Sequence, residues 1–507
     1  MPRAVPVLVL GLAILGCAKR PPATVVPAVD VEPPASVLEP GHRESVVLAP
    51  TAEPPPPPSP TPVDLGRDVD EAPRPGGSIR VLVPAGPEAS TLLGTLAAPE
   101  RLFAEPDAWR VEGACRIVPV LGGAKAADVV DAWNDVLASG PGPLHWLLAL
   151  GSARDQVRRG ERLLTQADPR AQEGGVRFCG AGSLADLAAR LDHPALRRAL
   201  VGRVAVATRS PFLSTPDGGF VPDPDHVEGG PYVARVDSVD PGGAPALLFK
   251  LGDVDVAIVQ GHDVRALEAL PERVVLTQAP AREPTYFLWL HPEKRWLNAT
   301  EFPFRAWLAG AIDRNEIVRL LFDGRGARAY TLHPDVGAAP QYELRPDLPL
   351  VPASRPQLTL RFDDGDPAEA LLAARLRAEL RTQRVDLQLQ PTKPDRLIER
   401  LAAGDVEAAL LLHRPETPDP VLALLGSVWW LGEAVRDETL ALLDATALED
   451  PAERVQAAVS VEEALLENAR VCPLVRLESW LATRDGLVGV RVDPHGTLRL
   501  DAAWWRR

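Results

Sequence analysis

Twice along this chain a helix-like run ends in Gly-Asp and passes at once into an apolar, strand-like run. "PALLFKL" leads through Gly252-Asp253 into "VDVAIVQG", and "DRLIERLAA" leads through Gly404-Asp405 into "VEAALLLH". Glycine is a routine end for a helix, so the turns alone prove little, but a helix followed directly by an apolar strand is the building unit of α/β sheets. The alternation continues around them. "SIRVLVP", "YFLWLHP", "QLTLRF" and "RVDLQLQP" read as strands, whereas "AADVVDAWNDVLA", "LADLAARL" and "PAEALLAARLRAELRTQ" read as helices. The expected class is α/β with mostly parallel sheets. A repeated unit also suggests two related lobes, and a cleft between lobes is where small ligands usually bind.

A second local pattern breaks an otherwise smooth amphipathic helix. In "AIDRNEIV", Asp313 precedes Glu316 by three residues, between the apolar sets Phe304, Trp307, Leu308, Ile312 and Ile317, Leu320, Leu321. That spacing predicts two short helices in tandem, the second capped by Asp313 in a capping box.

The N-terminus reads differently. "MPRAVPVLVLGLAILGCAKR" has one early basic residue, a short apolar run and then Gly16-Cys17. This is a signal peptide in outline, too short for a membrane-spanning helix. A small residue before Cys17 resembles the bacterial lipoprotein box, which implies cleavage after residue 16 and lipid on Cys17. Residues 17–77, including "AEPPPPPSPTP", lack apolar periodicity and cannot bury enough surface to offset chain entropy. They read as a disordered, Pro-rich spacer that holds a folded body off a membrane.

Charge narrows the partners. With 54 basic and 69 acidic residues the chain carries −15, which excludes a nucleic-acid surface. Beyond Cys17 the cysteines are Cys115, Cys179 and Cys472, so at most one internal disulfide forms. A Cys115–Cys179 bridge and three free buried thiols are equally open. No pair has metal-site spacing, and neither a metal nor a cofactor is expected.

"PFRAWLAGAIDRNEIVRLLFDGRGARAYTLHP" resembles the signature region of family 5 extracellular solute-binding proteins, the oligopeptide, dipeptide and nickel-type receptors of ABC importers. The matching residues are Arg305, Ala306, Ala311, Ile312, Asp313, Arg314, Ile317, Gly324 and Pro334. Further matches follow in the family's order. These are "GGSIRVLVP", "AADVVDAW", "EGGPYVARV" (Gly229 where the family has Thr), "HRPETPDPVLALLG" and "ENARVCPLVRLESWLATRDGLVGV". Between Val83 and Cys115 the chain is much shorter than the family pattern, which implies a reduced accessory domain.

The resemblance implies a two-lobed, type II periplasmic-binding-protein fold. The first lobe with its reduced accessory domain would span residues 78–282, the second lobe 283–480, and a return to the first lobe 481–507. It also implies a ligand site. Asp419, between Pro418 and Pro420, matches the family's Asp that pairs with a ligand ammonium, while the residues' own reading is equally a solvated Pro-Asp-Pro turn. Trp429 and Trp430 are candidates for an apolar pocket wall, with core packing the competing reading. Backbone of residues 86–91 would approach the cleft. His291, His333 and His413 are scattered, and no nucleophile elbow, zinc-protease or phosphate-loop motif occurs, so no enzyme activity is expected.

The implied function is binding of a short peptide or similar small solute by hinge closure, as a monomer, with delivery to an ABC permease. The place would be the periplasmic side of the cell envelope, on a lipid anchor. The alternative is an envelope lipoprotein derived from such a receptor, which has lost transport and serves as an interaction scaffold.

Overall fold

The computed structural model describes residues 76–83, 102–138, 145–160, 169–180, 182–201, 203–204, 211–215, 217, 219–224, 231–239, 244–270, 273–279, 283–294, 304–333, 356–414, 417, 419–467, 469–493 and 497–506. The signal sequence, Cys17, the spacer up to residue 75 and the loop 86–91 lie outside them.

Two sheets organise the described chain. The first has seven strands in the order Val274–Gln278, Ser479–Arg484, Val256–Gln260, Ser78–Leu82, Arg235–Val239, Phe220–Pro222 and Phe212–Ser214. The second has six, in the order Ala327–Arg328, Val471–Arg476, Thr285–Leu290, Ala408–His413, Gln357–Asp363 and Asp386–Thr392. Ser78–Leu82 runs parallel to both its neighbours, and so does Gln357–Asp363. The other pairs are antiparallel. The sheets are therefore mixed rather than mostly parallel. Alternating apolar runs reveal that strands and helices follow one another but carry no information on strand direction.

Thr285–Leu290 is buried along its whole length, which is why it reads as an unbroken apolar run. Its side chains divide by the two-residue period of a strand. Tyr286, Leu288 and Leu290 join the core beneath helices Phe304–Ala311 and Pro367–Thr382. Phe287 and Trp289 join the core on the opposite side.

That opposite core reaches far along the sequence. A small antiparallel sheet (Arg110–Glu112, Cys115–Val118, Gly175–Cys179, Arg170–Gln172) packs with helices Ala126–Ala138 and Leu184–Leu191. It shares one continuous apolar cluster with helices Pro420–Val428, Arg436–Ala445 and Pro451–Glu467. The segment from Leu102 to Val204 is thus built onto the helices of the second sheet. Cys115 and Cys179 stand opposite each other in register and form a disulfide, and Cys472 is a free, buried thiol.

Local signals behave as the spacing predicts. Gly252 and Gly404 end their helices in the left-handed region, at φ 82° and 67°. Asp313 caps helix Arg314–Leu321 by accepting from Glu316 N at 3.0 Å. The reciprocal half of the box is replaced: Asp313 N donates to Glu379 Oε1 at 2.5 Å, and the Glu316 side chain pairs with Arg375. No helix among the described residues is long and apolar enough to cross a membrane.

Candidate functional site

Two of the places where the chain leaves one sheet for the other are tied together. Ala279 N donates to Ser479 O at 2.9 Å, and Leu477 N donates to Pro284 O at 3.0 Å. Connections held side by side make a joint that can bend while both sheets stay intact.

Next to this joint the carboxyl ends of parallel strands from both sheets meet. In open α/β sheets this edge is where ligands bind, because strand ends and helix starts leave polar backbone and side chains there. Gln260 ends its strand in the first sheet. Asp363, Thr392 and His413 end three strands of the second. Between them Tyr286, fully buried, sets its Oη 3.0 Å from Asp366 Oδ2 and 3.3 Å from Gln260 Oε1. A phenol has a single proton, and the charged carboxylate is its stronger acceptor. The Gln260 amide can present either end to the phenol oxygen.

Asp366 works twice. Its Oδ1 accepts from Ala368 N and Glu369 N, capping the helix that starts at Pro367. The next carboxyl, Glu369, accepts from Asp363 N at 2.7 Å, and burial followed by the Asp366 charge pushes its pKa well above the usual range. Burial also raises Asp363, and Arg414 opposes both shifts. Burial, then Asp366, likewise holds the Tyr286 phenol protonated far above its ordinary range. The edge therefore offers a mixed set of neutral and charged carboxyls, a phenol, an amide and a guanidinium.

Further contacts bind the sheets' helices across the same joint. Arg325 pairs with Glu268 at 2.5 Å, and Arg265 with Asp323 at 2.9 Å. Gly261 approaches the turn so closely that a Cβ there would lie 2.6 Å from the Arg325 carbonyl oxygen.

Behind Thr285 lies a buried polar group. Arg476 Nε donates to Thr285 Oγ1 at 3.2 Å, and its Nη2 to Thr331 O at 3.1 Å. Glu462 accepts from the backbone of Leu332 and His333, and burial lifts its pKa to about 7. His413 Nδ1 contacts Ser427 Oγ, with the His333 ring 5.9 Å away. Burial first, then the charges of His333 and Arg476, push His413 down to about 3. The Ser427–His413 contact sets a hydroxyl against an imidazole. Burial thus weakens the imidazole as a base for the Ser427 hydroxyl.

The structure places the residues singled out from sequence as follows. Asp419 is the cap of helix Pro420–Val428, with Oδ1 accepting from Leu422 N at 3.0 Å. Its Oδ2 accepts from Arg454 Nε at 2.7 Å, and Nη2 of the same guanidinium lies 2.5 Å away in the ion pair. Arg454 is 3% exposed and also donates to Ser183 Oγ and to the carbonyls of Ala445, Thr446 and Leu448. Trp429 is fully buried, and Trp430 is buried against His145 with ring centroids 5.5 Å apart. Both indoles belong to the shared core. His291 lies at the other end of its strand, and no group of three or more metal-ligating side chains occurs among the described residues.

Tyr286, Gln260 and Asp366 were not singled out. One signal was available: "GDP" at positions 365–367, an Asp-Pro step between a strand and a helix, marks a cap at a sheet's carboxyl edge.

No family model matches this chain, and no curated protein matches it in sequence. Solved structures do match in fold. The Escherichia coli murein tripeptide binding protein MppA has a TM-score of 0.67 at 15% identity, covering 85% of this chain and 98% of that one. The ABC transporter-associated periplasmic binding protein DppA from Helicobacter pylori, in complex with peptide STSA, has 0.65 at 15% identity, covering 86% and 99%. NikA from Brucella suis, in complex with Fe(III)-EDTA, has 0.63 at 14% identity, covering 83% and 99%. The chain thus has the two-lobed periplasmic-binding-protein fold, and its structural neighbours are family 5 solute-binding proteins.

Proposed function

We propose that this chain is an extracytoplasmic solute-binding protein that closes its two lobes on a small solute. The observation that carries this reading is the paired crossing beside Tyr286, where the carboxyl edges of both sheets meet over a mixed set of donors and acceptors. In this reading each sheet is the centre of one lobe, and the segment 102–204, expected from sequence in the first lobe, goes with the second because its core is continuous with the second sheet's helices. The ligand is a short peptide or similar solute, in line with peptide-bound neighbours, and the closed form is offered to an ABC permease. Lipid on Cys17 anchors the body, as a monomer, on the periplasmic side of the cell envelope.

One observation favours the scaffold alternative. The Asp419 carboxylate already caps a helix and neutralises the buried Arg454, so it offers a ligand ammonium less charge than a free carboxylate would. A receptor that has given up transport has no need of a free carboxylate there.

Native mass spectrometry of the chain purified without denaturation separates the two readings. A co-purifying small molecule, lost on unfolding and regained on refolding in its presence, supports the receptor. Repeated absence of any ligand, with no change in radius of gyration across peptide libraries, rules it out. Cys17→Ser tests the anchor in the same preparations: the variant should move from the membrane fraction to the soluble one.

A further inference from the structure

Residues 102–106 and Trp109 face the helix Leu184–Leu191 across a groove of about 220 Å³. The first wall is fixed by backbone. Leu102 O accepts from Leu121 N at 2.9 Å and Ala104 N donates to Pro119 O at 3.0 Å, which pairs Phe103 with Val120. The chain then closes on itself through the short turn Pro106–Ala108, and the Trp109 indole N–H donates to Ala104 O at 2.7 Å. That bond pins the indole, so the ring stands in place before anything binds.

The facing wall is held just as firmly. Ser183 caps the helix by accepting from Asp186 N at 3.0 Å. Arg190, fully buried, donates to Asp186 at 2.9 Å and to Trp146 O at 2.5 Å. The helix turns Ala188 and Ala189 to the groove, and their small side chains leave the space open. Phe103 and Leu191, both buried, complete an apolar lining. An apolar cavity of about 150 Å³ is enough for a benzene ring, so this groove has room for a phenyl group. Its charge lies at the rim. Among the described residues that line it, Glu105 and Asp192 are acidic and exposed, and none is basic. Asp192 meets Arg197 only at 3.7 Å with 60% of its side chain exposed, a loose pair worth little. Asp192 also follows the C-terminus of its helix, where the helix dipole is negative.

We propose that this groove is a second ligand site, sharing no residue with the Tyr286 edge, for a small arylalkylammonium. The ring fills the apolar space beside Trp109 and Ala189, and the cationic head stays at the rim with Glu105 and Asp192. A neutral ring gains the same burial without the charge. An anion of the same shape meets two carboxylates and the negative end of the helix. A cation meets the opposite, and the face of the pinned indole attracts it as well. The rim therefore selects the amine among ligands of one shape.

The test uses the purified chain and calorimetry with phenethylamine, phenylacetate and 2-phenylethanol, which carry one ring with a positive, a negative and no charge. Phenethylamine should bind saturably, about tenfold or more tighter than phenylacetate, with the alcohol between them. Ala189→Phe fills the groove from the helix and should abolish binding of the amine. Glu105→Gln with Asp192→Asn, both at exposed positions, should keep the fold and bring the amine down to the level of the alcohol. This second variant decides the matter if Ala189→Phe fails to fold. Three results overturn the proposal. They are no saturable binding of the amine, equal affinity for amine and phenylacetate, and wild-type affinity for the amine in either folded variant.

Discussion

Arg454 places both Nε and Nη2 on one oxygen of Asp419, at 2.7 and 2.5 Å, while the other oxygen caps a helix. The pair joins two helices of the second lobe, and through Ser183 it reaches the segment built onto them. From sequence, Asp419 is open to two readings, a partner for a ligand ammonium or a solvated turn; in the structure it is a helix cap paired with a buried arginine.

Asp419→Ala should therefore destabilise the ligand-free chain by about 2–4 kcal/mol, since it removes a cap and the nearer carboxylate of Arg454, leaving Asp186 at 3.7 Å. Asp419→Asn should recover part of the loss by keeping the cap. Adding Arg454→Met to Asp419→Ala should restore stability relative to the single change. Urea unfolding of the four proteins decides it, and a single Ala variant within about 0.5 kcal/mol of wild type would remove the pair from the stability argument.

Two buried groups near Thr285 should give opposite pH dependences. Glu462 is an acid raised to about 7, so its stabilisation is present below about pH 4.5 and lost as pH rises through 7. His413 is a base lowered to about 3, so its contribution is present above about pH 6.5 and lost as pH falls towards 3. Between about pH 4.5 and 6.5 the two trends cancel in part. Glu462→Gln should gain stability relative to wild type as pH rises from 4.5 to 7, by up to about 3 kcal/mol. His413→Gln should gain relative to wild type as pH falls below about 6.5. Denaturation curves that stay parallel to wild type across this range would contradict the assignment.

Gly261→Ala should act as a wedge between the sheets. The new Cβ meets the Arg325 carbonyl at 2.6 Å, and backbone on both sides leaves nothing flexible to yield. An overpacking cost of about 1–3 kcal/mol is expected. Small-angle scattering should show a larger radius of gyration, as the helix Gly261–Glu268 and the turn at Arg325 separate. An unchanged radius with unchanged stability would place the close approach outside the joint's mechanics.

The Cys115–Cys179 bridge spans 64 residues, so in the chain-entropy account it stabilises by about 4 kcal/mol. Cys115→Ala with Cys179→Ala should lower stability by about 2–5 kcal/mol. In a chain carrying Cys17→Ser, unfolding without reductant should expose the Cys472 thiol alone, and reduction should add the other two. Three reactive thiols before reduction would mean the bridge does not form.

What the sequence made legible was local. Asp313 and Glu316 lie three residues apart, and Gly252 and Gly404 end their helices, so chemistry within one turn announces each. Relationships closed by the fold stayed hidden. Asp366 lies 80 residues from Tyr286, and Arg454 lies 35 residues beyond Asp419. Neither spacing carries a period that points one at the other. Strand direction was hidden for the same reason, since Val471–Arg476 and Ser479–Arg484 enter different sheets although two residues separate them. Cys115 and Cys179 became a pair only once the register set them opposite each other.

The strand Ser479–Arg484 lies inside the first sheet, between Val256–Gln260 and Val274–Gln278, yet the whole of the second sheet stands before it in the sequence. Until it arrives, those two strands have no partner on their facing sides, and each offers an open row of amide and carbonyl groups. Completion of the first sheet waits on this strand, whatever the earlier residues have achieved. Such long-range closure is slow and leaves the unfinished chain loosely held. The first sheet is thus sealed by a segment that reaches it straight from the second.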